Sequence, residues 1–77
     1  MQRLKLIWDF RGPAGQQTAL HHEKHLKEYA SAEGLTEPIT GTEALQEFHH
    51  IAFLVVNSDE MKPVRDALKP HRGQLYQ

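Results

Sequence analysis

Six histidines in 77 residues, with no cysteine, define the chemistry open to this chain. Imidazole titrates near neutrality, so a histidine can move a proton or hold a divalent metal without a cofactor. The lack of cysteine removes thiolate nucleophiles, thiolate metal sites and disulfides together. His21 and His25 stand one helical turn apart, a spacing that lets two rings share a divalent cation. An i, i+4 pair with no third ligand in sequence is a loose constraint; a third protein ligand would have to come from elsewhere, and the other histidines are His22, His49, His50 and His71. The string His21-His22-Glu23-Lys24-His25 lacks the His-Glu-x-x-His order of zinc proteases. The alternative for this pair is a solvated helix flank.

His22 differs, because it falls in an apolar stripe with Leu26 and Tyr29. A polar ring there is either a satisfied core histidine or part of a pocket wall. His50 shares the phase of Ala52 and Leu54, whereas His49 shares that of Ile51, so only one of them can face a covering helix. His71 follows Pro70 at the end of a helical pattern, where the helix dipole favours an imidazolium. Asp9 and Arg11 end an apolar strand in the phase opposite Trp8, as polar groups at a cavity mouth or as an exposed ion pair worth little. His22, His50 and His71 are thus the candidate acid–base residues, and Trp8, Asp9, Arg11 and Tyr29 the candidate ligand contacts. No nucleophile elbow, phosphate loop or paired carboxylate defines a substrate, and no cofactor is implied.

These residues need elements to carry them. Arg3 to Phe10 alternates, with Leu4, Leu6, Trp8 and Phe10 on one face, and Gly12-Pro13 stops the strand. A helix is predicted from about Ala14 to Glu33, with an inward stripe of Ala19, His22, Leu26, Tyr29 and Ala30 and with Gly34 at its C-terminal cap. Residues 36–48 are punctuated by Pro38 and Gly41. An extended segment around Ile39 is expected there, followed by a short turn of helix or a tight connection, because Thr40-Gly41-Thr42-Glu43 has capping-box spacing ahead of Ala44-Leu45-Gln46-Glu47-Phe48; the alternative is that those five residues end an irregular edge strand. Ile51 to Val56 is an unbroken apolar run that reads as a strand covered on both faces. Asn57-Ser58-Asp59-Glu60 is a dense capping signal for a second helix with Met61, Val64 and Leu68 inward and Pro63 confined to its first turn. Pro70 ends that helix and Gln74-Leu75-Tyr76 makes a last short strand.

The order strand, helix, extended segment, strand, helix, strand over residues 1–77 predicts a single α+β domain. With right-handed crossovers both helices fall on one face of an antiparallel or mixed sheet, in a two-layer sandwich of ferredoxin-like plan. Two helices cover one face only, yet Ile51, Phe53 and Val55 point to the other. Left in water each would forgo about 1.5–3 kcal/mol, so a homodimer packed through the open sheet face is expected. The alternative is that residues 36–48 or the C-terminal tail cover that face.

The strand Arg3–Arg11, the helix bearing His21-His22-Glu23-Lys24-His25-Leu26, the apolar strand His49–Val56 and the tail Pro70-His71-Arg72-Gly73 together resemble the dimeric α/β-barrel superfamily. This ferredoxin-like group includes antibiotic-biosynthesis-monooxygenase, EthD-like and stress-responsive dimeric barrel proteins. The resemblance implies a homodimer whose sheets form a shared barrel, with a small cavity between helices and sheet in each subunit. It also implies cofactor-free chemistry, with a pocket histidine as general acid or base. The competing readings are a non-catalytic dimerisation module and divalent-metal binding through His21 and His25.

Composition bounds the partners. A net charge of -1 gives no bulk attraction to nucleic acid or anionic lipid. Lys62, Arg65, Lys69 and Arg72 cluster near the second helix, but Asp59, Glu60 and Asp66 lie among them. No apolar run approaches the roughly 20 residues of a membrane span. Charges within the first five residues spoil any likeness to a signal peptide, so a cytoplasmic protein binding a small molecule is expected.

Overall fold

The computed structural model, which describes residues 2–76, runs strand β1 (Arg3–Arg11), helix α1 (Gly15–Glu33), strand β2 (Ile39–Gln46), strand β3 (His49–Asn57), helix α2 (Met61–Leu68) and strand β4 (Arg72–Tyr76). The strands form one sheet in the order β2-β3-β1-β4, and every neighbouring pair is antiparallel. Each helix joins two strands that are not neighbours, crossing over the strand between them. The product is an α+β domain compatible with a ferredoxin-like fold. Among the described residues no helix is long and apolar enough to cross a membrane.

One buried cluster holds the layers together. Leu6 and Trp8 of β1 and Ala52, Leu54 and Val56 of β3 pack on Ala19, Leu26 and Ala30 of α1 and on Val64 of α2. The strand residues are all of one phase, so both helices lie on the same face. Helix α1 ends as its glycine requires: Gly34 is left-handed at φ 63°, and the Leu35 amide returns to the Ala30 carbonyl at 3.1 Å.

Two local expectations need correction. The first concerns residues 36–48, where the favoured helical turn after Ile39 does not form and the alternatives of an irregular edge strand and a tight connection do. Strand β2 continues to Gln46, and only Glu47 and Phe48 form the turn into β3. The capping-box spacing is overridden because β3 offers a continuous row of backbone partners, from Ile39 opposite Val55 to Ala44 opposite His50. Gly41 fits this pairing because the Phe53 ring lies across it, 2.6 Å from where a Cβ would stand. The second concerns α2. Its N-cap is Glu60, which makes no side-chain cap bond. The Glu60 carboxylate instead accepts the Thr36 amide and hydroxyl, each at 3.3 Å, and so ties α2 to the loop after α1. Pro63 is the third helical residue, inside the first turn as its missing amide demands.

The sheet face turned away from the helices also departs from expectation. Ile7, Ile51 and Val55 are 2%, 3% and 0% exposed within the single chain, and Phe53 is half-buried. Within the single chain Ile7, Ile51 and Val55 are already out of water, whereas Phe53 keeps part of its surface exposed and Ile39, opposite Val55, is 38% exposed. Long side chains from the same sheet provide the cover. Arg3 crosses β3, donating to the Val55 carbonyl at 3.5 Å and to the carbonyls of Thr36 and Glu37. Lys5 places its ammonium 4.4 Å from the centre of the Phe53 ring and pairs with Glu43 at 2.7 Å. The burial argument for a homodimer therefore no longer holds for Ile51 and Val55.

Candidate functional site

His22 reaches the core because it occupies the inward stripe of α1, between Ala19 and Leu26. Its ring lands against two aromatic residues of β1, 5.0 Å from Trp8 and 5.4 Å from Phe10 between centroids, tilted by 55° and 56°. His22 Nε2 is buried and has no hydrogen-bond partner. Loss of solvent pushes the His22 pKa below its ordinary value, and the charges of His25, His71 and His21 act in the same direction. The ring is therefore neutral near physiological pH, with one nitrogen unengaged.

His50, opposite Phe10 in the β1–β3 ladder, faces the helices as well. Its Nδ1 lies 3.4 Å from the place a Cβ on Gly15 would take, and it too is buried without a partner. Trp8, Phe10, His22 and His50 thus form one patch beneath the first half of α1. The Trp8 indole is anchored there by donating Nε1–H to the Leu68 carbonyl at 3.0 Å, which also satisfies the end of α2. Tyr29 packs on the same core, but two helical turns beyond His22, about 10 Å along the axis.

Asp9 and His49 belong to the opposite face. Asp9 accepts His49 Nε2 at 2.7 Å, and Arg72 Nε and Nη2 each at 3.1 Å. The bonded Arg72 guanidinium, aided by His49 and opposed by burial, holds the Asp9 carboxyl at about 2. The same bond raises the pKa of Arg72. The expected pairing of Asp9 with Arg11 is not what forms. Arg11 is exposed opposite His49, while Arg72 arrives from β4. Sequence reasoning missed His49 and Arg72 as Asp9 partners. The signal available was phase: His49 is in phase with Ile51, which stands opposite Asp9.

The expected role for His71 also needs correction. Helix α2 ends at Leu68, where the Lys69 amide caps it on the Arg65 carbonyl at 2.8 Å. His71 lies beyond it and accepts the Asp9 main-chain amide on Nδ1 at 2.9 Å. An accepting nitrogen offers its lone pair, so Nδ1 carries no proton in this bond. His71 extends the β1–β4 ladder by one bond instead of neutralising a helix end.

His21 and His25 stand on the exposed side of α1 with their Nε2 atoms 3.1 Å apart. Among the described residues no group of three or more His, Asp or Glu side chains is arranged to hold a metal.

The available space lies elsewhere. A groove of about 450 Å³ runs between α2 and the β1–β4 edge, walled by Leu4, Leu6, Met61, Pro70 and Leu75, with Arg65 beside it. Gly73 contributes no side chain to its floor, where Leu6 Cδ2 would be 3.4 Å from a Cβ. A second hollow of about 500 Å³ lies by Lys27, Ala30, Leu35 and Thr40. Neither hollow is lined by a histidine, nor by Trp8 or Tyr29. Comparison of the chain with protein-family models, with curated proteins and with solved structures gives no match.

Proposed function

We propose that this chain is a small-molecule-binding protein of ferredoxin-like plan whose ligand is an amphipathic anion seated in the groove between α2 and β4. The observation that carries the reading is the groove itself. Its volume of about 450 Å³ lies in the range of small-ligand sites, and its walls are mainly aliphatic or thioether, with Gln74 and two arginines as the polar part of the lining. Of the two arginines that border it, Arg72 is committed to Asp9, whereas Arg65 makes only an exposed 3.6 Å contact with Asp66. An apolar body in the groove with a carboxylate at Arg65 matches both features.

Titration with medium-chain carboxylic acids and the matching alcohols, followed by chemical-shift changes, tests this. Saturable shifts at Met61 and Leu75 are expected, stronger for the acids. Leu75→Trp, at an exposed position on the wall, should abolish them, and Arg65→Gln should erase the preference for acid. No saturable shift with any compound, or unchanged shifts in Leu75→Trp, defeats the proposal and leaves the non-catalytic interaction module in its place.

A second reading, catalysis without a cofactor, is favoured by the unpartnered His22 Nε2. A buried nitrogen that the fold leaves free can accept a ligand proton or lend its own. His50 shares that condition, while His71 has its Nδ1 occupied by the chain itself. His22→Phe separates the alternatives. A gain in thermal stability, together with loss of ligand-induced shifts around Trp8, supports a retained functional nitrogen. A gain in stability with every ligand response intact shows that the nitrogen has no such role.

The homodimeric barrel belongs to the same proposal as its quaternary part. It is supported by the family resemblance and by the placement of both helices on one sheet face, and no longer by the burial of Ile51 and Val55. Sedimentation at twice the chain mass is expected, and a well-folded species at the single-chain mass at all concentrations refutes it.

A further inference from the structure

We propose that His21 and His25 form a chelating site for a borderline divalent d-block cation on the exposed side of α1, with Glu28 as the carboxylate that orients it. Both imidazoles project from the middle of a 19-residue helix, so the backbone beneath them is rigid. Their Nε2 atoms are 3.1 Å apart and the rings meet edge to face at 81°. A cation bound at about 2.0–2.1 Å by two adjacent ligands holds the nitrogens about 2.9–3.4 Å apart, so the separation already suits it.

The tautomers also suit it. Glu28 Oε1 stands 3.4 Å from His25 Nδ1. At that distance the carboxylate is a charge contact that favours the tautomer with the proton on Nδ1 and the Nε2 lone pair free, and a small approach would make it the hydrogen bond found behind metal-ligating histidines. In the metal-free chain this lone pair accepts the proton on His21 Nε2, which accounts for the 3.1 Å contact. On binding, the His21 proton moves from Nε2 to Nδ1 through exchange with water, so both rings stay neutral and both Nε2 lone pairs face the cation. Modest rotation of two solvent-exposed rings turns both lone pairs to a common point, and water fills the remaining coordination positions.

Two neutral imidazoles with no thiolate favour Cu²⁺ first, then Ni²⁺ and Zn²⁺, and give Mg²⁺ and Ca²⁺ nothing they prefer. This site is independent of the α2–β4 groove, and its test does not involve the groove ligand. Isothermal titration of the intact chain with Cu²⁺, Ni²⁺, Zn²⁺ and Mg²⁺ reads the affinity. Broadening of imidazole signals by substoichiometric Cu²⁺ reads the location.

One cation per chain is expected, with His21 and His25 signals lost first and Mg²⁺ silent. His21→Ala and His25→Ala should each weaken binding by about tenfold or more, and Glu28→Gln by a smaller factor. Lys24→Ala, on the same helix, should leave binding unchanged. Equal uptake by the His21→Ala/His25→Ala double variant, first broadening at His49 or His71, or an equal response to Mg²⁺ overturns the assignment.

Discussion

Leu54 and Val55 are consecutive residues of β3, both fully buried, yet they are covered by different materials. Leu54 packs into the cluster beneath the two helices, where apolar side chains meet apolar side chains. Val55 lies under the other face, where the covering groups are the stems and heads of Arg3 and Lys5, the Phe53 ring and the residues around Asp9. The helix face is dry because separate elements cover it. On the open face Ile7, Ile51 and Val55 are buried because the face's own charged rim folds inward and finds partners: Lys5 with Glu43, and His49 and Arg72 with Asp9. A cover made of ion pairs depends on pH and salt, and a cover made of helices does not. A small domain can thus bury both faces of a central strand with helices on only one.

The contrast can be broken first at its strong end. Leu54→Ala should cost about 2–5 kcal/mol in denaturant unfolding, with little dependence on salt, because it opens a cavity in a closed apolar cluster. A cost under 1 kcal/mol would mean that the helix face is no better packed than the open one. Gly41→Ala attacks the open face through packing alone. The new methyl would stand 2.6 Å from the Phe53 ring tip and lift that ring away from Lys5, for a loss of about 1–3 kcal/mol. Adding Phe53→Leu should restore part of the loss, and failure to do so would locate the strain elsewhere.

Asp9→Asn is the third test and removes the charge on which the rim converges, for about 1–2 kcal/mol at neutral pH. Its pH signature is specific. The Asp9 carboxyl is held at about 2, below the ordinary carboxylate range, so the unfolded chain takes up the proton first on acidification. The stabilisation is complete above about pH 4 and disappears as pH falls through about 2. Unfolding curves of wild type and Asp9→Asn should therefore converge at the acid end, and a constant gap down to pH 2 contradicts the ion-pair account. The smallest effect belongs to Glu43→Gln. It leaves Lys5 above Phe53 without its carboxylate and should cost under about 1 kcal/mol, vanishing in molar salt.

How much of this was legible in the chain follows from range. Helix α1 and its Gly34 end, the alternation of β1 and the apolar run of β3 are written in spacings of two to four residues, and they form where periodicity places them. Strand β2 was only half legible. Gly41, Glu43 and Ala44 carry little strand propensity of their own, and pairing to β3 makes them a strand. The candidate residues divide in the same way. His22 sits in its stripe as the helical phase requires. The partners of Asp9 lie 40 and 63 residues away, and no local pattern names them. The groove is likewise invisible in sequence, since its walls come from β1, α2 and β4 together.

The sequence by itself determined the elements and the side of each that is apolar, because both depend on steric and hydrophobic periodicity within a few residues. Tertiary structure alone decided what covers the second face of the sheet, which charges meet and where empty space is left. Those outcomes depend on strand register and on the reach of long side chains across it, and register is a relation between segments that no single segment contains.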